Sequence, residues 1–210
     1  MINPEDYFEA AITLHGHRCP AMPLGLRVGA AALNKLGAER AKDGQLVALV
    51  EIGSGHFATC FADGIQMVTG CTLGKGNIKK LHYGKWGLTL IEKATGRAVR
   101  VTPKAEVFVK STKSDFFVKY RSKGIPASEV PEEISRPMVE HVLNAADEEL
   151  LTVSEVFSYN WQDPPHCFDK FICEECGEMV VETYGRFHDG RHLCIPCREK
   201  ATTQPEPQRG

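Results

Sequence analysis

No stretch of this chain approaches the ~18 consecutive apolar residues that a bilayer-spanning helix requires. No basic segment leading into an apolar run opens it either, since "MINPEDYFEA" begins acidic. Charge of one sign is equally scarce. A formal net charge of −2 supplies no long-range pull toward nucleic acid or an anionic membrane. Internal repeats and recognisable cofactor fingerprints are missing. "TGCTLGKGN" (69–77) has the glycines and lysine of a phosphate loop, but it lacks the spacing and follows a helical stretch rather than a strand. The expectation is a cytoplasmic protein with no membrane association. Its 210 residues set one or two domains, and 42% apolar content is enough for a sizeable core.

What the chain does have is eight cysteines, which in a reducing compartment point to metal binding or thiol chemistry before disulfides. Around them the pattern predicts an α+β protein: a mixed sheet with packed helices, plus a small C-terminal zinc module. Residues 4–14 have near-helical apolar spacing with acidic residues in the first turn. "PLGLRVGAAALNKLGA" (23–38) is a helix stopped at Gly37, and its many Gly and Ala residues predict close packing on another element. "QLVALVEI" (45–52) is a buried strand, 60–70 a short helix ending at Gly70, and 86–103 a hairpin turning at Ala94-Thr95-Gly96. "AEVFVK" (105–110) continues the strand-like alternation. Residues 121–133 make a loop, 135–150 a helix capped by Ser135, and "LLTVSEVFSY" (150–159) a last strand. With a proline-rich linker at 160–170, the domains are residues 1–160, a four-cysteine module at 161–200 and a flexible tail at 201–210.

The strongest motif is "CEEC" (173–176) followed, after seventeen residues, by "CIPC" (194–197). Each C-x2-C can turn a tight knuckle that aims two sulfurs at one point, and two knuckles make a tetrahedral thiolate site for zinc. Gly177 follows the first knuckle, where positive φ is often needed, and Pro196 stiffens the second. Cys173, Cys176, Cys194 and Cys197 are the candidate ligands. Four sulfurs close the coordination shell, so this ion is structural, and in a segment too short for its own core it supplies the folding energy. His188 and His192 are surplus to the shell. Residues 167–210 carry six Lys/Arg against eight Asp/Glu, so the module suits a protein partner better than phosphates, and nucleic acid is disfavoured.

A second stretch, "LHGHRCP" (14–20), sets His15, His17 and Cys19 at alternate positions just before a helix. If extended, it presents all three side chains on one side. A thiol at a helix N-terminus is biased toward thiolate. A metal site, a reactive thiol with its base, and polar residues caught in a turn are all compatible with this. Cys60 and Asp63 share a face of the 60–70 helix, so His17, Cys19 and Cys60 can converge on one site; in isolation, Cys60 and Cys71 each read as core residues.

"HGHRCP", "CFADGIQMVTGCTLGKGN", the hairpin and "FICEECGEMVVETYGRFHDGRHLCIPC" together resemble the FmdE-like family of formylmethanofuran dehydrogenase components over about residues 5–198. The resemblance implies an α+β core with an appended treble-clef-like zinc module. It also implies His17, Cys19 and Cys60 as core metal ligands, with His15, Asp63, Gln66 and Cys71 nearby. The chain departs from the family pattern at Ala21, where glycine usually follows Cys-Pro, at Gly64, and in a longer 51–60 stretch that introduces His56. The function expected is a metal-binding protein of anaerobic one-carbon or molybdenum/tungsten metabolism. Imidazole and thiolate donors suit zinc or iron in the core, with Cys19, His17 and Asp63 as candidate catalytic groups. The alternative is a non-enzymatic accessory or metal sensor whose zinc module docks a protein. A homodimer and a redox-enzyme partner are the partners expected.

Overall fold

A computed structural model describes residues 1–55 and 59–203. It divides into two compact units, residues 1–161 and 162–210.

The first unit is built around one helix. α1 (Phe8–His15) leads into α2 (Ala21–Leu36), where every residue from Met22 to Leu33 is buried. A helix apolar on all sides must be covered on all sides. A sheet covers one flank, α3 (Phe61–Thr69) another and α5 (Glu132–Asn144) a third. The sheet has the strand order β2-β1-β3-β4-β5, from β1 (Leu46–Val50), β2 (Ile78–Lys80), β3 (Leu88–Glu92), β4 (Arg97–Pro103) and β5 (Leu151–Val153), with a short sixth strand, β6 (Phe157–Ser158), also paired to β4. β1 and β2 are parallel and the other pairs antiparallel, so the sheet is mixed as expected. Alternation splits β1 between two cores: Leu46, Ala48 and Val50 face the helices, while Val47 and Leu49 meet Ile91 and Ala98 on the other side.

The hairpin turns through Gly96 at φ +69°, and Gly37 and Gly70, at φ +65° and +70°, end α2 and α3. Three local expectations are corrected. Residues 105–110 are not strand: α4 (Ala105–Thr112) is a helix, followed by a π-helical turn at Phe116–Tyr120. α5 begins at Glu132, after Pro131, so Ser135 lies inside it, and it stops at Asn144; the short α6 (Asp147–Leu150) is separate. That stop has a clear cause. The buried Arg27 guanidinium of α2 donates to the carbonyls of Val142, Leu143 and Ala145 and to Asp147 Oδ1, satisfying the free helix end. Last, residues 150–159 are β5 and a two-residue β6 (Phe157–Ser158) with a break between, because the Ser154 hydroxyl takes the Arg100 N–H that a ladder carbonyl would otherwise receive.

At the end of β1 the Glu51 carboxylate, 5% exposed, accepts two hydrogen bonds from Arg100, at 2.6 and 2.8 Å. The guanidinium holds this carboxyl below its ordinary value of 4.5. A carboxyl held low stabilises the fold fully above about pH 4.5, and that contribution is lost as acid protonates the folded state. Glu51→Gln should therefore cost about 2 kcal/mol at neutral pH and flatten the acid limb of a Tm-versus-pH profile. An unchanged acid limb would mean the pair contributes nothing there.

The second unit holds two hairpins and a helix. β7 (Lys170–Ile172) pairs β8 (Met179–Val181), β9 (Gly185–His188) pairs β10 (Arg191–Cys194), and α7 (Ile195–Thr203) follows. α7 runs through residues 201–203, expected to be tail; residues 204–210 lie outside the described residues.

Candidate metal centres

The core site forms where three chain ends meet. α1 stops at His15 because Gly16 turns left-handed, at φ +91°, with its N–H bonded to Ile12 O. That reversal, not strand alternation, folds His17 back onto His15: their Nε2 atoms lie 3.2 Å apart. Cys19, 2% exposed, follows immediately before α2. Cys60 and Asp63 come from the start of α3. Two glycines bring the starts of α2 and α3 together. A Cβ on Gly25 would lie 2.0 Å from Phe61 O, and one on Gly64 2.1 Å from Met22 O. The predicted close packing of the Gly/Ala-rich helix is therefore real. Gly64, a departure from the family pattern, is where the partner helix makes room.

The resulting distances are short. Cys19 Sγ lies 3.5 Å from Cys60 Sγ and 3.6 Å from His15 Nε2. His15 Nδ1 donates to Asp63 Oδ2 at 2.8 Å, which leaves Nε2 facing His17 and Cys19. The Asp63 carboxylate also accepts from Gln66 Nε2, and Gln66 Oε1 accepts from the Leu73 N–H, tying α3 to the following turn. Donor atoms of His15, His17 and Cys19 all lie within 4.8 Å of one another. Cys60 is outside that set and reaches it through Cys19. Asp63 sits behind His15, as a carboxylate that fixes the ring and its tautomer.

Electrostatics follow from this packing. The Cys60 thiol, the His15 ring and the Met22 N–H hold Cys19 down at about 4, against its burial. The thiolate beside it, together with burial, pushes Cys60 far up. The Asp63 carboxylate and Cys19 lift His15 to about 9.

Of the residues that sequence reasoning named, the structure sets His17 and Cys19 in one donor group with His15, places Cys60 against Cys19, and turns Asp63 onto His15. Sequence reasoning underrated His15, whose signal was a histidine in the last turn of a helix just ahead of a glycine. Cys71 is fully buried away from the cluster, and burial pushes it up to about 11. His56 lies outside the described residues. Lys75 of the phosphate-loop-like stretch turns its Nζ into the carbonyls of Ala41 and Lys42, which makes it a structural tie.

In the second unit Cys173, Cys176, Cys194 and Cys197 form the other group close enough to share an ion. Cys173 and Cys176 flank the turn between β7 and β8, with Gly177 at φ +74°; Cys194 ends β10, and Cys197 lies in the first turn of α7. The N–H groups of Cys176 and Cys194 hold Cys173 down at about 6. His192 is stacked between Phe171 and Phe187, at 3.5 and 4.4 Å, and stands outside the thiol group. Hairpins and a helix gathered around four thiols fit a zinc-ribbon module.

An α+β core with a His/Cys cluster, followed by a four-cysteine module, defines a class of two-part metal-binding proteins. The chain belongs to the FmdE family: the model described as "FmdE, Molybdenum formylmethanofuran dehydrogenase operon" matches residues 14–152. A tungsten formylmethanofuran dehydrogenase FmdE-like protein from Syntrophus aciditrophicus has the same fold. Its TM-score is 0.64 at 22% identity, covering 96% of this chain and 95% of that one. A probable S-adenosyl-L-methionine-binding protein of Archaeoglobus fulgidus is 32% identical over an alignment of 192 residues that covers 87% of this chain but only 50% of that protein, so the chain spans half its length. Among the described residues no helix is long and apolar enough to cross a membrane.

Proposed function

We propose that the protein is a two-ion metalloprotein of anaerobic one-carbon or molybdenum/tungsten metabolism, with a reactive centre in the core and a structural zinc in the C-terminal module. The observation that carries this reading is the donor set of His15 Nε2, His17 Nε2 and Cys19 Sγ, backed by the Asp63 carboxylate on His15. Mixed imidazole and thiolate donors suit zinc or iron. Three protein donors leave a coordination position open for a substrate or water, and an ion held there would supply Lewis-acid polarisation. The chain's own residues would do the rest. Asp63 fixes the His15 tautomer, and the Cys60 thiol steadies the Cys19 sulfur as an added donor or a proton reservoir. The module belongs to structure and to docking a protein partner, and the protein acts as a homodimer.

Metal analysis of purified protein tests this. About two equivalents per chain are expected, and Cys19→Ser should remove one while leaving the core folded, at a melting temperature lowered by the loss of the ion. A single equivalent insensitive to Cys19→Ser would eliminate the core centre. Asp63→Ala should weaken binding of cobalt(II), read by its absorption in competition with a chelator, by about 10- to 100-fold. Unaltered affinity would leave Asp63 no part in orienting His15.

A further inference from the structure

Beside the Cys19–Cys60 thiol pair lies a cavity of about 930 Å³, and nothing in the metal-site reading uses it. Its walls come from the start of α2, from α4, from the π-helical turn and from α5. α4 has no buried residue, yet it turns Val107, Phe108 and Ser111, at helical spacing, onto this space, and Ser114 joins them from the turn that follows. Val107 and Phe108 pack in part against the core and with the rest of their surface line this space. Trp86 and Phe108 are stacked at 4.2 Å along one wall, and Phe116 and Met138 add further ring and thioether surface. Volume and lining suit a drug-sized organic molecule: mostly apolar walls, a few hydroxyls and one histidine, His141.

Charge narrows the ligand class. Lys110 and Arg121 are balanced by Glu106 and Glu149, so the lining as a whole favours neither an anion nor a cation. A polyphosphate would find no excess of cations there. Rings gain more than linear chains from an aromatic wall, because they can stack on it.

We propose that this cavity binds a neutral, ring-bearing small molecule whose one end rests against the thiols of Cys19 and Cys60. This deepens the reading of the core centre given above, since the cavity ends at that centre's sulfurs. The ligand would be the substrate or effector presented to it. α4, unused by the metal site, is then the element that selects it.

Titrating the metal-loaded full chain with N-phenyl-1-naphthylamine, a neutral ring compound that brightens in apolar surroundings, should show saturable micromolar binding at about one probe per chain. Decanol, neutral and linear, should compete about fivefold or more weakly than naphthalene-sized ring compounds. Ala127→Trp and Met138→Trp each place a bulky side chain in the cavity away from the thiols. Either variant that keeps the wild-type melting temperature should lose about tenfold or more in probe affinity. Bound probe should also slow iodoacetamide modification of the Cys19–Cys60 pair, located by peptide mass spectrometry, while leaving Cys167 unaffected. Undiminished binding in both tryptophan variants, decanol competing as well as the rings, or no protection of the Cys19–Cys60 pair would each overturn the proposal. Metal content measured on the same samples separates the two readings. Probe binding without a core ion leaves this inference standing and removes the metal centre, and a core ion without probe binding does the reverse.

Discussion

Replacing Gly64 with alanine is expected to lower the melting temperature of the core and to empty its metal centre in one step. The new methyl would sit 2.1 Å from the Met22 carbonyl oxygen and within 3 Å of the backbone of Gly25 and Leu26. Backbone cannot swing aside as a flexible side chain can, so α2 and α3 must move apart. Alanine's better helix propensity, about 1 kcal/mol, offsets only part of that. A net loss of about 3 kcal/mol is expected, which in a body this size is a Tm shift of about 6–12 °C. Function suffers because Cys19 precedes α2 and Cys60 precedes α3, so separating the helices pulls apart sulfurs now 3.5 Å from each other. Calorimetry and metal counting on the same sample check both halves. Gly74→Ala, where a Cβ would meet nothing within 4 Å, should leave both readouts unchanged. A Gly64→Ala protein with wild-type Tm and full core metal would show that the helix crossing does not set the site.

Cys173→Ser should unfold the C-terminal unit. That unit's buried set among the described residues is Cys173, Leu193, Cys194 and Cys197, with Phe171 and Val180 packed against it in part. One buried leucine is no core. The ordering of its residues must be offset by ligand bonds, and ion binding in modules of this kind supplies roughly 10–16 kcal/mol. Serine removes a sulfur whose partners are the amides of Cys176 and Cys194. Limited proteolysis should then cut beyond residue 161 and release the core intact, with one metal equivalent lost. A protease-resistant module in the Cys173→Ser protein would rule out an ion as its source of order.

How much of this was legible in the sequence differs from element to element. Helix stops at Gly37 and Gly70 could be read because only a left-handed residue ends a helix cheaply there. The four-cysteine module could be read because two knuckles at that spacing do little else. "AEVFVK" misled because its Val107-Phe108-Val109 run is β-branched and aromatic, the composition of a strand; the helix was decided by what Val107 and Phe108 meet, the core and a cavity wall built from residues distant in sequence. The true end of α5 was equally hidden, because the group that satisfies its carbonyls is Arg27, about 115 residues earlier. In the core site, the pairing of positions 17–19 with 60 was visible as motif chemistry. The weight of His15 was not, since it depends on the left-handed turn at Gly16 and on the carboxylate of Asp63, 48 residues on.

The two core sulfurs have a redox history to carry as well. At 3.5 Å they need to close by only about 1.5 Å to reach a disulfide bond length. A two-electron oxidant would join them, release the thiol hydrogen as a proton and withdraw Cys19 from the donor set. Reducing conditions keep the pair open.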